Sequence, residues 1–201
     1  MNNIAQAINY FENSDPGVAQ IIRNFSKTNR VIKKSAPDMY ARELFASIVS
    51  QQLSTKVADI IWNRFSELVQ SPNDPKIVKK FTVEQLRSIG LSNQKASYIL
   101  AIANGVTDGT VKLDHLDELD DESIINELVQ LKGVGRWTAE MFLIFTLARP
   151  DVFSVGDLGL RNAVNKLYEK ELTANDISEL SQVWSPYRSL VSLALWHSLD
   201  S

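Results

Sequence analysis

Apolar residues return every three or four positions in segment after segment of this chain, and no stretch alternates convincingly between apolar and polar residues. That spacing lines one stripe of a helix, whereas a half-buried strand needs a period of two. The fold class is therefore expected to be all-α. Between Asp38 and Leu53 the stripe is Ala41, Leu44, Phe45, Ile48 and Val49, and in the next element it is Val57, Ile60, Ile61, Leu68 and Val69. Thr82 with Gln85 predicts a capping-box start for a short helix that stops at Gly90, and another helix begins near Ser92 with Ala96, Ile99, Leu100 and Ala103 inward. Gly105 to Gly109 reads as a turn-rich break. A helix over 121–131 ends at Gly133-Val134-Gly135, and the segment 136–147, apolar nearly all round, predicts a central buried helix. Arg149-Pro150-Asp151 stops it. The loop to Gly156 leads into a helix over 157–170, Thr173 with Asp176 opens the next, and Ser185-Pro186-Tyr187-Arg188 opens the last, which carries Leu190, Leu193, Ala194 and Trp196.

With 201 residues and 44% hydrophobic content, the chain can bury one substantial core or two small lobes. No run approaches the roughly 18 apolar residues that would span a bilayer, and Met1-Asn2-Asn3-Ile4-Ala5-Gln6 lacks the pattern of a signal peptide. No membrane is expected, and the location should be intracellular: cytoplasm or nucleoid, or a nucleus. The absence of cysteine removes disulfides, thiolate nucleophiles, cysteine–zinc sites and iron–sulphur clusters together. His115 and His197 are too isolated for a metal pair or a triad. A net charge of -3 argues against gripping a polyanion by bulk charge, so any attraction to one must be local. Asp114, Asp117, Glu118, Asp120, Asp121 and Glu122 crowd one segment, read as an acidic, solvated helix start, and Lys132 and Arg136 follow it.

The segment Leu131-Lys132-Gly133-Val134-Gly135-Arg136-Trp137-Thr138-Ala139 has the shape of a phosphate-binding hairpin between two helices. Two glycines flanking an apolar residue permit positive φ and close backbone approach, and free amides at the next helix start point at an anion. Val134 would plug into the core, while Lys132 and Arg136 would add charge-assisted contacts. Taken alone, the same residues also suit a plain turn between helices.

From Leu131 to Val164 the chain resembles the helix-hairpin-helix DNA glycosylases, whose hairpin is followed by a Gly/Pro-Asp loop. Within that superfamily it is most similar to the 3-methyladenine DNA glycosylase II branch, because Gly-Val-Gly-Arg-Trp-Thr-Ala is joined by the run Asp151-Val152-Phe153-Ser154-Val155-Gly156-Asp157-Leu158-Gly159-Leu160-Arg161. The likeness extends to Ile48-Val49-Ser50-Gln51-Gln52-Leu53-Ser54, to Gly90-Leu91-Ser92 with Lys95-Ala96, and to Trp184-Ser185-Pro186-Tyr187-Arg188 with Trp196. It covers residues 35–199. The extra N-terminal β-rich domain of the bacterial enzyme has no counterpart, so the resemblance is to compact members, with a lobe of 1–35 plus 157–201, a central lobe of 36–156, and a cleft between them.

The resemblance implies a monofunctional glycosylase that removes 3-methyladenine and 7-methylguanine from double-stranded DNA and so starts base excision repair, acting as a monomer without a protein partner. The alternatives are a glycosylase for another lesion and a non-catalytic DNA-binding module. Asp157 aligns with the catalytic carboxylate, which would stabilise oxocarbenium character in the sugar and orient the attacking water; its bland role is a helix N-cap. Lyase members carry lysine where this chain has Trp137, so no Schiff base is expected. Trp137, Met141, Leu158 and Trp196 align with the base pocket, although Met141 and Leu158 replace aromatics and core packing is the alternative for all four. Gln52 aligns with the plug inserted into DNA, and Lys95 and Thr138 join Lys132, Gly133, Val134, Gly135 and Arg136 as backbone contacts. No cofactor is required; a structural Na+ or K+ would be held by the carbonyls of Val129, Leu131 and Val134.

Overall fold

A computed structural model describes residues 4–199, so Met1-Asn2-Asn3 of the N-terminal stretch lies outside it. In chain order the helices are α1 (Ile4–Ser14), α2 (Pro16–Ser26), α3 (Tyr40–Ser50), α4 (Thr55–Val69), α5 (Pro75–Val78), α6 (Val83–Ser88), α7 (Asn93–Thr107), α8 (Asp121–Leu128), α9 (Arg136–Met141), α10 (Leu158–Tyr168), α11 (Ala174–Gln182) and α12 (Arg188–Leu199). Two 3-10 turns add Pro37–Met39 and Leu113–Glu118, and α9 continues into a π-helical turn at Phe142–Thr146. Among the described residues there is no strand, as the periodicity requires, and no helix is long and apolar enough to cross a membrane.

Local chemistry sets many of the starts. Asp15, Thr82, Ser92, Asp120, Asp157 and Thr173 each cap the helix that follows them, with full capping boxes at Thr82/Gln85 and Thr173/Asp176. Each such cap satisfies an amide that the helix itself cannot pair, and is worth about 1 kcal/mol.

The chain divides into two compact units, one comprising Met1–Lys34 with Leu143–Ser201 and the other Ser35–Phe142. In the first, α2 packs on α1 and α12, and α10 packs on α12. Phe11, Ile22 and Trp184 are fully buried there. In the second, α3 and α5 pack on α7 around Tyr40, Leu44, Phe45, Phe65, Ile99 and Ile102. Truncating a core ring such as Phe45 to alanine removes about 3–5 kcal/mol.

Several expectations change. The boundary read at 156 lies at 142/143, because 143–156 is tied into the first unit: the Ser189 amide donates to the Pro150 carbonyl at 3.1 Å, and the Val152 amide to Ser189 Oγ at 2.9 Å. Gly105 is not part of a break but a buried position inside α7, where an added Cβ would meet Leu131 Cδ2 at 2.6 Å. On α4 the buried stripe is Ala58, Ile61, Phe65 and Val69, one position round from the expected face, which leaves Val57 and Ile60 exposed. The segment 136–147 is not wholly interior, since Trp137 and Phe145 are both 43% exposed.

Candidate functional site

In the first unit, the loop after Pro150 is fastened to the start of α12. Asp151 accepts from Arg188 Nε at 2.8 Å, Arg188 Nη2 at 3.0 Å and Ser185 Oγ at 2.7 Å. Burial pushes the Asp151 carboxyl up, but the hydrogen bonds from Arg188 and Ser185 outweigh it and hold the group below its ordinary value. Ser189 Oγ donates to the Arg149 carbonyl at 2.7 Å. These contacts explain the run Ser185-Pro186-Tyr187-Arg188: it fastens the loop leading to Asp157 onto the helix that carries Trp196.

Asp157 caps α10, accepting from the Leu160 amide on Oδ1 at 2.8 Å. The Trp196 indole N–H donates to the same oxygen at 3.1 Å. The indole reaches it across Gly159, where a Cβ would sit 3.1 Å from Asp157 Oδ1 and 3.5 Å from Trp196 Cδ1 and Nε1. A half-buried carboxylate is thus aimed by a helix start and an indole, and Phe145 stacks on the Trp196 ring with centroids 5.7 Å apart and planes 28° apart. Leu158 is 63% exposed, so it is not core packing.

In the second unit, Gly133 turns the chain with φ +98 and packs directly on the Tyr98 ring, leaving no room for a side chain. Val134 is buried and its amide donates to the Leu131 carbonyl at 3.0 Å, as expected of a rigid hairpin. Gly135 begins α9 with open space where its Cβ would be. Lys132 is exposed, and Thr138 is buried, accepting from Gln51 Nε2 at 3.5 Å. Gln51, Gln52, Lys95, Gly133, Gly135 and Thr138 line a polar concavity of about 540 Å³.

Two expected backbone contacts are placed differently. The Arg136 guanidinium forms a two-pronged pair with Glu122 and donates through Nε to buried Glu140 at 3.0 Å. Those acids raise the arginine, and the arginine lowers Glu122. Lys95 Nζ donates to the carbonyls of Val49 at 2.8 Å and Gln51 at 2.6 Å, and its burial lowers its pKa. Gln52 is exposed with φ +56, while Met141 is half-buried in α9. Among the described residues no group of three His, Asp or Glu could hold a metal ion.

The sequence reading did not single out Phe145, Gly159, Tyr98 or Glu140. A glycine in the first turn of a helix beside a capping aspartate is a legible sign of close approach; for the other three no local signal exists.

A family model described as HhH-GPD superfamily base excision DNA repair protein matches residues 45–186. The chain belongs to that superfamily. The DNA-3-methyladenine glycosylase 1 of Schizosaccharomyces pombe is 32% identical over 184 residues, which take in 89% of this chain and 79% of that protein. The Bacillus subtilis protein YfjP is 31% identical over 162 residues, and there the match spans 76% of this chain but only 56% of the relative. Among solved structures, S. pombe 3-methyladenine DNA glycosylase (Mag1) in complex with abasic DNA matches with a TM-score of 0.85, 28% identity and 98% coverage of both chains. This HhH-GPD protein therefore has relatives named for removal of methylated adenine, and its all-helical fold is theirs.

Proposed function

We propose that the protein is a monofunctional DNA glycosylase that hydrolyses the N-glycosidic bond of alkylated purines, 3-methyladenine and 7-methylguanine, in double-stranded DNA. The observation that carries the reading is the Asp157 carboxylate, held on one oxygen by the α10 start and by the Trp196 indole, beside an aromatic pair. Loss of the base gives the sugar oxocarbenium character. A carboxylate held in place stabilises that charge without reorganising, and orients the water that attacks it. A purine alkylated on the ring already carries positive charge and leaves readily, so the site needs no strong general acid. The indole face of Trp196 favours such a cation over a neutral base by about 0.5–2 kcal/mol.

Trp137 supports hydrolysis rather than strand cleavage, since an indole cannot form a Schiff base with the sugar. The Gly133–Gly135 hairpin, with Lys132 beside it, would hold a backbone phosphate, and Gln52 would fill the gap left by the extruded base. A structural Na+ or K+ would be held by the backbone carbonyls of Val129, Leu131 and Val134, of which that of Leu131 also accepts from the Val134 amide at 3.0 Å. Such an ion would link the hairpin to the phosphate. The wild type acting on methylated DNA should release 3-methyladenine and 7-methylguanine, identified by chromatography, and should leave the strand intact until alkali is added. Asp157→Asn should bind abasic-site DNA yet release no base. Residual release by that variant, or an enzyme–DNA adduct trapped by borohydride, would contradict the mechanism.

A further inference from the structure

The turn that carries Gln52 is unusual for its residues. Helix α3 ends at Ser50; Gln51 follows with φ -47 and ψ 130, Gln52 with φ +56, and the Leu53 amide donates back to the Ser50 carbonyl at 3.1 Å. Those angles and that bond define a type II β-turn, whose third residue needs positive φ and is ordinarily glycine or asparagine. A glutamine there is strained, and the strain persists only where surrounding contacts over-determine the backbone. Type II differs from the unstrained type I by a flip of the central peptide, here Gln51–Gln52. The direction of the Gln51 carbonyl is thus the structural difference between the two turns.

That carbonyl is one of the two that Lys95 holds. The other belongs to Val49, whose helical partner would be the Leu53 amide, now turned to Ser50. Both acceptors are therefore left over by the turn, and an ammonium from α7 satisfies them together. We infer that Lys95 is the positioning residue of this turn: it locks the Gln51–Gln52 peptide in its flipped orientation and so fixes the direction from which the Gln52 side chain leaves the backbone. The inference rests on reading Gln52 as the residue inserted into DNA. It is set against the expectation that Lys95 contacts phosphate, since two of the three N–H donors of the ammonium are held by protein carbonyls. Loss of Lys95 lets the peptide return to type I, removes Gln52 from the left-handed region and redirects its side chain.

Two measurements on Lys95→Met test this. In the free protein, NMR scalar couplings that report the sign of φ at Gln52 should change from positive to negative; an unchanged positive φ overturns the lock. In single-turnover release of 3-methyladenine from a duplex, Lys95→Met and Gln52→Ala should each slow the reaction roughly 10- to 100-fold, as misplaced groups do, and the double variant should be no slower than Gln52→Ala. Additive losses, with the salt dependence of DNA affinity falling by about one phosphate contact, would make Lys95 a phosphate ligand and refute the proposal. Should Lys95→Met not fold, Gln52→Gly must be more stable than Gln52→Ala; equal stability also refutes it. A wild type that releases no base defeats the functional reading, whereas the NMR result still decides the lock.

Discussion

Substituting alanine at each hairpin glycine separates what the fold needs from what DNA contact needs. At Gly133 an alanine meets two penalties. Its φ of +98 lies where a Cβ collides with its own backbone, costing about 1–2 kcal/mol. The new methyl would also lie 2.6 Å from Tyr98 Cδ2 and 2.7 Å from Tyr98 Cβ, and the Tyr98 hydroxyl is held by Gln94 Nε2 at 2.6 Å, so the ring cannot swing aside without losing that bond. Forcing a methyl into such packing costs about 1–3 kcal/mol. Gly133→Ala should therefore lose about 2–5 kcal/mol in urea unfolding, with the amides of 131–138 exchanging faster. Gly135 has φ -92 and nothing within 4 Å of its would-be Cβ, so Gly135→Ala should stay within about 0.5 kcal/mol of wild type. If the backbone there approaches a phosphate, that silent substitution will still weaken DNA binding. A Gly133→Ala protein as stable as wild type would refute the reasoning, because both penalties come from the observed backbone.

Three further substitutions test charged side chains. Lys132→Gln should lower the slope of log affinity against log salt by about one if its exposed ammonium meets a phosphate as proposed; Arg136→Gln, which removes a guanidinium already paired with Glu122 and Glu140, should leave that slope unchanged, and salt titrations of DNA binding distinguish the two. Asp151, held below its ordinary value, contributes stability that is fully present above about pH 4 and is lost as pH falls through its lowered folded pKa. Asp151→Asn should therefore cost about 1–3 kcal/mol at neutral pH and weaken the loss of stability at acid pH, as read by urea unfolding across a pH series; an unchanged acid limb would remove Asp151 from it.

Features fixed within a few residues were legible in the sequence. Caps at Thr82, Ser92 and Thr173, the hairpin glycines and the position of Asp157 ahead of α10 all depend on neighbours three or four residues away. So does the signal for α2, an aspartate followed by proline at Asp15-Pro16, which the periodicity reading passed over. What sequence could not convey depends on partners far along the chain. Lys95 looks like any helix-start lysine until carbonyls 44 and 46 residues away are set beside it. The pairing of Arg136 with Glu122, 14 residues earlier, is equally invisible in the local sequence. Phe145 reads as part of an apolar stripe; only the π turn at 142–146 and the Trp196 ring reveal it as half of an aromatic pair.

Because one oxygen of Asp157 both starts α10 and receives the Trp196 indole, the proposed function puts selection for folding and selection for chemistry on the same atom. A descendant relieved of base removal could not discard the side chain at will. Drift at this codon should be funnelled toward asparagine or serine, which still begin a helix, so a retired copy of this gene would look almost intact at the very position that had fallen silent.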